Sequence, residues 1–297
     1  MGALEGKVAV VTGAGRGIGR GESLLLASKG ASVVVNDVGG EWDGVGEDTR
    51  PAQQVVEEIE AAGGKAAANY ANVASWAGAG ELIRQAVETF GRLDIVVNNA
   101  GILRDAMIFN MTEENWDAVV GVHLKGHAAV THHACAHWRE RSKAGEETAG
   151  HIVNTSSEAG LYGLRGQSNY AAAKAGIAAL TQVTAREMRK YNVTANCIAP
   201  RARTRLITQT FGESIMAAPE VGFDQFAPEN VAPLVAFLAS DAAAHISGQV
   251  FTVWGGAVQL MRGWEGGPTI DNQARWTLDR LGDAFGTLFD GIPSALE

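Results

Sequence analysis

The sequence predicts an α/β protein: an open, doubly wound parallel sheet of Rossmann type with helices on both faces, forming a single domain with a C-terminal extension. Three observations lead there. Short β-branched runs alternate with longer helical stretches along most of the chain. A glycine-rich turn joins the first such run to the first helix. Finally, 46% apolar residues in a chain of 297 supply enough core to cover a sheet on two sides.

The strands read, in order, as residues 8–11, 32–36, 95–98, 151–154, 193–198 and 249–253. Helical patterns fill the intervals. Repeated strand–helix–strand units require parallel pairing with right-handed crossovers, which brings ligands to the carboxyl ends of the strands. Residues 1–260 are read as one dinucleotide-binding and catalytic domain, and 261–297 as a C-terminal extension. Three segments exceed a minimal layout, and loops of that length serve as lids or interface pieces. Residues 38–50 are rich in Gly and Asp, residues 201–228 form a candidate substrate loop carrying Pro219, and the tail begins at Gly255. Within the tail, residues 270–281 have the apolar spacing of one amphipathic helix, packing on the body or on a second subunit.

The net charge of −9 speaks against a nucleic-acid surface or an anionic membrane as partner. Cys135 and Cys197 are the only cysteines and lack a C-x-x-C spacing, so neither a disulfide scaffold nor a redox motif is expected, and a reducing cytoplasm is the expected home. No run near the ~18 apolar residues of a membrane span opens the chain, so neither export nor a membrane anchor is expected.

Thr12-Gly13-Ala-Gly-Arg16-Gly17-Ile18-Gly19 follows a strand and opens a helix, the context in which glycine spacing points to a dinucleotide. Gly13, Gly17 and Gly19 let the backbone approach a pyrophosphate, and the helix N-terminus offers free amides to it. The alternative is a tight turn with no ligand. Asp37 ends the second strand, where a carboxylate accepts from an adenosine ribose and repels a 2′-phosphate, favouring NAD over NADP; Arg16 is the residue that would counter that repulsion. Asn98-Asn99-Ala100-Gly101 ends another strand, where small residues permit close approach and amides bridge strands or cofactor hydroxyls.

Tyr170 and Lys174 stand four apart and share a helix face. An ammonium beside a phenol stabilises phenolate, so Lys174 is expected to lower the Tyr170 pKa and make it a general acid/base. Ser157, thirteen residues upstream, would hold the substrate oxygen, and Ser156 beside it would point the other way.

Together the loop from Thr12 to Gly19, Asn-Asn-Ala-Gly and Ser with Tyr-x3-Lys resemble the short-chain dehydrogenase/reductase family over residues 5–260. Further segments, among them Asn36-Asp-Val-Gly-Gly40, Val122-His-Leu-Lys-Gly126 and Leu161-Tyr-Gly-Leu-Arg-Gly-Gln167, resemble its (3R)-hydroxyacyl-CoA dehydrogenase branch, as found in peroxisomal multifunctional enzymes of type 2, to which steroid 17β-dehydrogenase activity is also attributed. The resemblance implies a nicotinamide-linked oxidoreductase with Ser157, Tyr170 and Lys174 as its catalytic set. It also implies Gly13, Arg16, Gly17, Ile18, Gly19, Asp37, Asn72, Val73, Asn98, Ala100, Gly101, Tyr170, Lys174, Pro200 and Thr204 as cofactor contacts. The substrate it implies is a 3-hydroxyacyl-CoA, with a fatty-acyl or sterol-derived chain, oxidised to the 3-oxo thioester. Alternatives are an NADPH-linked 3-oxoacyl or carbonyl reductase, a hydroxysteroid dehydrogenase, or a non-catalytic nucleotide-binding module.

Two positions depart from the wider family. His123 stands where most members carry an Asn that holds a water leading to the Lys, and acts either as a proton relay or as a packing residue. Arg201, Arg203 and Arg205 crowd the stretch where the family has Pro-Gly, either to bind a CoA diphosphate or acyl carboxylate or as a solvated basic loop. Thr204 is the candidate contact for the nicotinamide carboxamide. Five of the seven histidines, His123, His127, His132, His133 and His137, fall on one stretch and are expected to line a helix face at a subunit interface; no metal site is expected. The Ala-rich face of the Tyr170 helix, with Ala171, Ala172, Ala175, Ala178 and Ala179, predicts a homo-oligomer, dimer or tetramer, built on two-fold contacts.

Overall fold

The structure, a computed structural model, describes residues 2–289. The described chain divides into two compact units after Met261. In the first unit, β1 (Val8–Thr12), α1 (Gly17–Ser28), β2 (Ser32–Asn36), α2 (Arg50–Ala61), β3 (Lys65–Asn69), α3 (Trp76–Phe90) and β4 (Ile95–Asn98) form the first half. The second half comprises α4 (Glu113–Val120), α5 (Gly126–Lys143), β5 (Gly150–Thr155), α6 (Glu158–Tyr162), α7 (Ser168–Met188), β6 (Val193–Pro200), α8 (Arg205–Phe211), α9 (Ala232–Leu238), β7 (Val250–Trp254) and β8 (Ala257–Met261). The sheet order is β3-β2-β1-β4-β5-β6-β7-β8, with every pair parallel except the antiparallel β7–β8.

Side chains alternate across each strand, and the sheet is buried on both faces for that reason. Ala9 and Val11 of β1 pack with Leu26 of α1 and Val55 and Ile59 of α2 on one face, where α9 adds Val235 and Leu238. Val8 and Val10 face Leu82 of α3 and Val130 and Trp138 of α5 on the other. The strand order reverses between β1 and β4, which opens a crevice above their carboxyl ends.

Two strands lie outside the sequence expectation. β3 is Lys-Ala-Ala-Ala-Asn, which has no β-branched residue, and it forms because β2 offers a parallel edge in register from Ser32 to Asn36. β8 lies where the tail was expected to begin; Gly255 at φ +48 turns the chain back onto β7, making a hairpin where only parallel pairing was expected. In the second unit the described helix is α10 (Leu278–Phe285), shorter and later than the helix expected over 270–281. Thr277 caps it by accepting from the Arg280 amide, so the helix starts at that cap and leaves 270–277 irregular. Among the described residues no helix is long and apolar enough to cross a membrane.

Candidate active site

The β1–α1 turn is a bare backbone surface. Gly13 (φ +63) and Gly17 (φ +53) take left-handed conformations, and a Cβ on Gly19 would lie 2.3 Å from the Gly13 carbonyl oxygen. Asn99 holds this turn: its Nδ2 donates to the carbonyls of Thr12 (3.1 Å) and Gly13 (3.0 Å), while Thr12 Oγ1 accepts from the Asn99 and Ala100 amides. Asn98 does not reach the cleft and is corrected as a cofactor contact. It is 1% exposed, and its Nδ2 donates to Asn154 Oδ1 (2.9 Å) and Thr131 Oγ1 (3.1 Å), because adjacent residues at a strand end face opposite sides.

Asp37 is fixed at the cleft wall by two amides, Gly15 N to Oδ2 at 2.8 Å and Gly39 N to Oδ1 at 2.6 Å. From there residues 38–48 run as a strap across the cleft. Arg16 and Arg205 both donate to the Gly40 carbonyl (3.4 and 3.2 Å), Arg205 also pairs with Glu41 (3.0 Å), and the Trp42 carbonyl accepts from the Leu103 amide at 3.0 Å. Trp42 and Glu41 line the cleft, and no motif in the sequence marked them.

The cleft, about 580 Å3, is lined by Gly13, Arg16, Gly17, Ile18, Asp37, Asn72, Val73, Ala100, Gly101, His123, Ser157, Tyr170, Lys174, Pro200 and Thr204. Gly19 supports it from beneath, packed on the Gly13 carbonyl. A glycine cradle in which a Cβ would collide, a helix N-terminus above it and a fixed carboxylate at the next strand end suit a dinucleotide.

Lys174, 2% exposed, donates from Nζ to the Thr155 carbonyl at 2.6 Å, and its Nζ lies 5.5 Å from the Tyr170 ring centroid. Burial pushes the lysine down to about 7. Burial also pushes the Tyr170 phenol up to about 12, with a hydrogen bond from Ser157 pulling down and the Asp105 charge pushing up. The expectation that Lys174 lowers the Tyr170 pKa is therefore corrected for the protein's own groups: both lose water together, and a lysine drawn toward neutrality offers the phenolate little charge. Ser157 sits at the N-terminus of α6, where its Oγ accepts from the Ala159 amide (3.2 Å). Ser156, 1% exposed, donates to the Lys174 carbonyl at 2.7 Å and anchors α7 to the strand end.

The arginines after β6 are each paired with a carboxylate. Arg201 forks onto Glu158 (2.5 Å) and stacks over Trp254 at 4.5 Å, Arg203 pairs with Asp224, and Arg205 holds Glu41. Arg201 and Arg205 fasten the loop to α6 and to residues 38–48, and Arg203 ties it back on itself. Thr204 lies over Gly17, its methyl 3.8 Å from where a Gly17 Cβ would sit, and its hydroxyl accepts from the Ile207 amide to cap α8.

The histidines do not share one face, contrary to expectation. A single π-helical turn, Gly121–Lys125, precedes α5 and rotates His123 and His127 into the interior. His132 and His133 cluster instead with Trp76 of α3, at centroid distances of 4.9 and 5.8 Å. Among the described residues no three His, Cys, Asp or Glu side chains are grouped to hold a metal ion.

The family model for short chain dehydrogenases matches residues 7–211. Hydroxyacyl-CoA dehydrogenase ChsB1 of Mycobacterium tuberculosis is 52% identical over 267 residues, covering 87% of this chain and 80% of that protein. Peroxisomal multifunctional enzyme type 2 of Mus musculus is 43% identical over 263 residues, or 88% of this chain but only 33% of that longer protein. A crystal structure of a short chain dehydrogenase from Mycobacterium avium superposes with a TM-score of 0.88 at 51% identity, covering 99% of this chain and 98% of that one. Family membership implies a nicotinamide cofactor, which the glycine cradle accommodates. The chain is an oxidoreductase and belongs to the short chain dehydrogenase family.

Proposed function

We propose that the protein oxidises the 3-hydroxyl of a (3R)-3-hydroxyacyl-CoA to the 3-oxo thioester with NAD⁺. The convergence of Ser157, Tyr170 and Lys174 beside a dinucleotide cradle carries the reaction type. The hydroxyacyl-CoA dehydrogenase at 52% identity supports the substrate class. The fixed Asp37 carboxylate supports NAD over NADP, since a 2′-phosphate would meet a like charge there.

When bound, NAD⁺ supplies the hydride acceptor. Ser157 and Tyr170 would hold the substrate hydroxyl between them, Ser157 keeping the oxygen in place through its hydrogen bond. Tyr170 Oη would take the proton from the oxygen of the 3-hydroxyl, whose carbon gives up the hydride, and would return a proton to that oxygen in the reverse direction. Lys174, anchored on the Thr155 carbonyl, would hold the nicotinamide ribose. Residues 201–216 and the strap would cover the reacting atoms, with Leu206, Ile207 and Met216 offering apolar contact to an acyl chain.

The open face of α7, where Ala172, Ala175, Ala179 and Val183 are exposed, supports a homo-oligomer formed by close helix approach. Sedimentation at micromolar protein tests this part, and a monomer there contradicts it. For the activity, the direct test is NAD⁺ reduction across short-chain, long-chain and sterol-side-chain 3-hydroxyacyl-CoAs, with free steroid alcohols as controls. Turnover of an acyl-CoA is the expected result; turnover of steroid alcohols alone contradicts the substrate class. NADP(H) binding tighter than NAD(H) by about tenfold, roughly 1.4 kcal/mol, contradicts the role given to Asp37.

A further inference from the structure

His123 is an expensive residue to bury. It is 1% exposed, and its Nδ1 has no hydrogen-bond partner, whereas Nε2 lies 3.0 Å from the Ile102 amide nitrogen and 2.8 Å from the Ile102 carbonyl oxygen. Which of these two bonds forms depends on the tautomer, and in both the ring is tied to Ile102 and Nδ1 is left over. An unpaired buried nitrogen carries a desolvation cost that an apolar side chain of similar shape would avoid. Three local features accommodate the ring nonetheless. The π-helical turn aims it inward. Gly101 makes room for it, since a Cβ there would lie 2.4 Å from His123 Cε1. Its plane meets the Tyr170 ring edge-on at 88°, with the centroids 5.1 Å apart.

Most of the groups that set its charge disfavour the imidazolium. Burial pushes its pKa well below 6.5, and the charges of Lys174 on α7 and His127 on α5 push the same way, against the Ile102 carbonyl. His127 is itself buried and pushed down to about 3. No carboxylate is among these influences. Tied to Ile102 and buried, the ring is a rigid wall for the phenol beside it.

We infer that His123 is a positioning residue: strapped to Ile102, it fixes the plane of the Tyr170 ring and the Gly101–Leu103 backbone against each other. The inference rests on the proposed role of Tyr170. It gives the π-helical turn, the missing Cβ at Gly101 and the unpaired Nδ1 a common purpose, because all three serve the fit of one ring against another.

The test uses the full chain and whichever 3-hydroxyacyl-CoA the wild type oxidises best, and follows His123→Phe and His123→Gln. Phe keeps an aromatic edge against Tyr170 and cannot carry a proton; Gln keeps a hydrogen-bonding group toward Ile102 and loses the edge. Melting temperature and NADH fluorescence establish that each variant is folded and binds cofactor. The expected result is that His123→Phe retains kcat within about tenfold of the wild type and His123→Gln loses more, with the pH limb of kcat displaced in His123→Gln and kept in His123→Phe. Loss of kcat by about 10³-fold in folded His123→Phe, with His123→Gln the better variant, shows that a nitrogen at this position handles the proton and overturns the inference. Equal rates and unchanged pH profiles in both variants also overturn it, by showing that the contact positions nothing. If His123→Phe does not fold, the displaced limb in His123→Gln decides alone. Failure of the substrate assignment appears separately, as absence of acyl-CoA turnover by the wild type.

Discussion

Glu22 shows how far a single residue of α1 departs from what its surroundings favour. Its side chain is fully buried in the helix that follows the glycine loop, neither carboxylate oxygen has a partner, and burial pushes its pKa from 4.5 up to about 8. The folded state therefore holds a proton that the unfolded chain releases above about 4.5, so this contribution to stability is complete below that pH. It is lost as pH rises from about 4.5 to about 8, by an amount on the order of a few kcal/mol. Glu22→Gln removes the titration, and the account predicts that denaturation midpoints of the variant exceed the wild type at about pH 8 and converge toward it at about pH 5. Midpoints that differ equally at both pH values contradict it. At this scale the sequence was legible where chemistry dictates residue type: the glycines, Asp37, Ser157, Tyr170 and Lys174 all reach the cleft or its floor. Burial was not legible. Nothing in the spacing of Tyr170 and Lys174 reveals that both are stripped of water, so the expected fall of the phenol pKa became a rise.

Among the elements, the strap of residues 38–48 is the one that sequence pattern least defined. Its glycines and aspartates read as a loop, but its destination depends on partners far along the chain: Arg205 on Glu41 and Gly40, Leu103 on Trp42, and Arg104 on Asp43. The arginines read either as ligands for an anion or as a solvated loop because two of their acidic partners, Glu158 and Glu41, come from distant segments and Asp224 lies 21 residues beyond Arg203 in their own. The Arg205–Glu41 pair is partly solvent-exposed, so it contributes no more than about 1 kcal/mol to strap closure. Glu41→Gln is therefore predicted to raise the NADH dissociation rate by no more than about fivefold, with the difference from wild type shrinking at high salt. Stopped-flow displacement of NADH measures this; an unchanged rate at low salt contradicts the pairing as a closure contact. β3 and β8 were hidden for related reasons. An all-alanine strand centre has no strand signature of its own, and a hairpin at Gly255 reverses a pattern that otherwise predicts only parallel pairs.

For the whole molecule, the doubly wound sheet was legible because its signal is repeated: five expected strands fall within observed ones in chain order, the sixth overlaps β7 in all but its first residue, and the crossover rule then leaves few topologies. The site followed from the topology, since the crevice lies where strand order reverses between β1 and β4. Every residue lining it falls between Gly13 and Met216, inside the unit that ends at Met261. A chain ending at Met261 is accordingly predicted to bind NADH within about twofold of the full chain by fluorescence titration, and loss of binding by a folded truncated protein contradicts a cleft complete within that unit. If this cleft performs hydride-transfer chemistry with Tyr170 handling the proton, Tyr170→Phe is the decisive variant, with turnover and cofactor binding measured on the same protein. NAD⁺-dependent oxidation of a 3-hydroxyacyl-CoA is then expected to fall by about 10²–10⁴-fold while NADH affinity stays within about twofold. Oxidation by the variant within about threefold of the wild type would contradict it and remove Tyr170 from the mechanism.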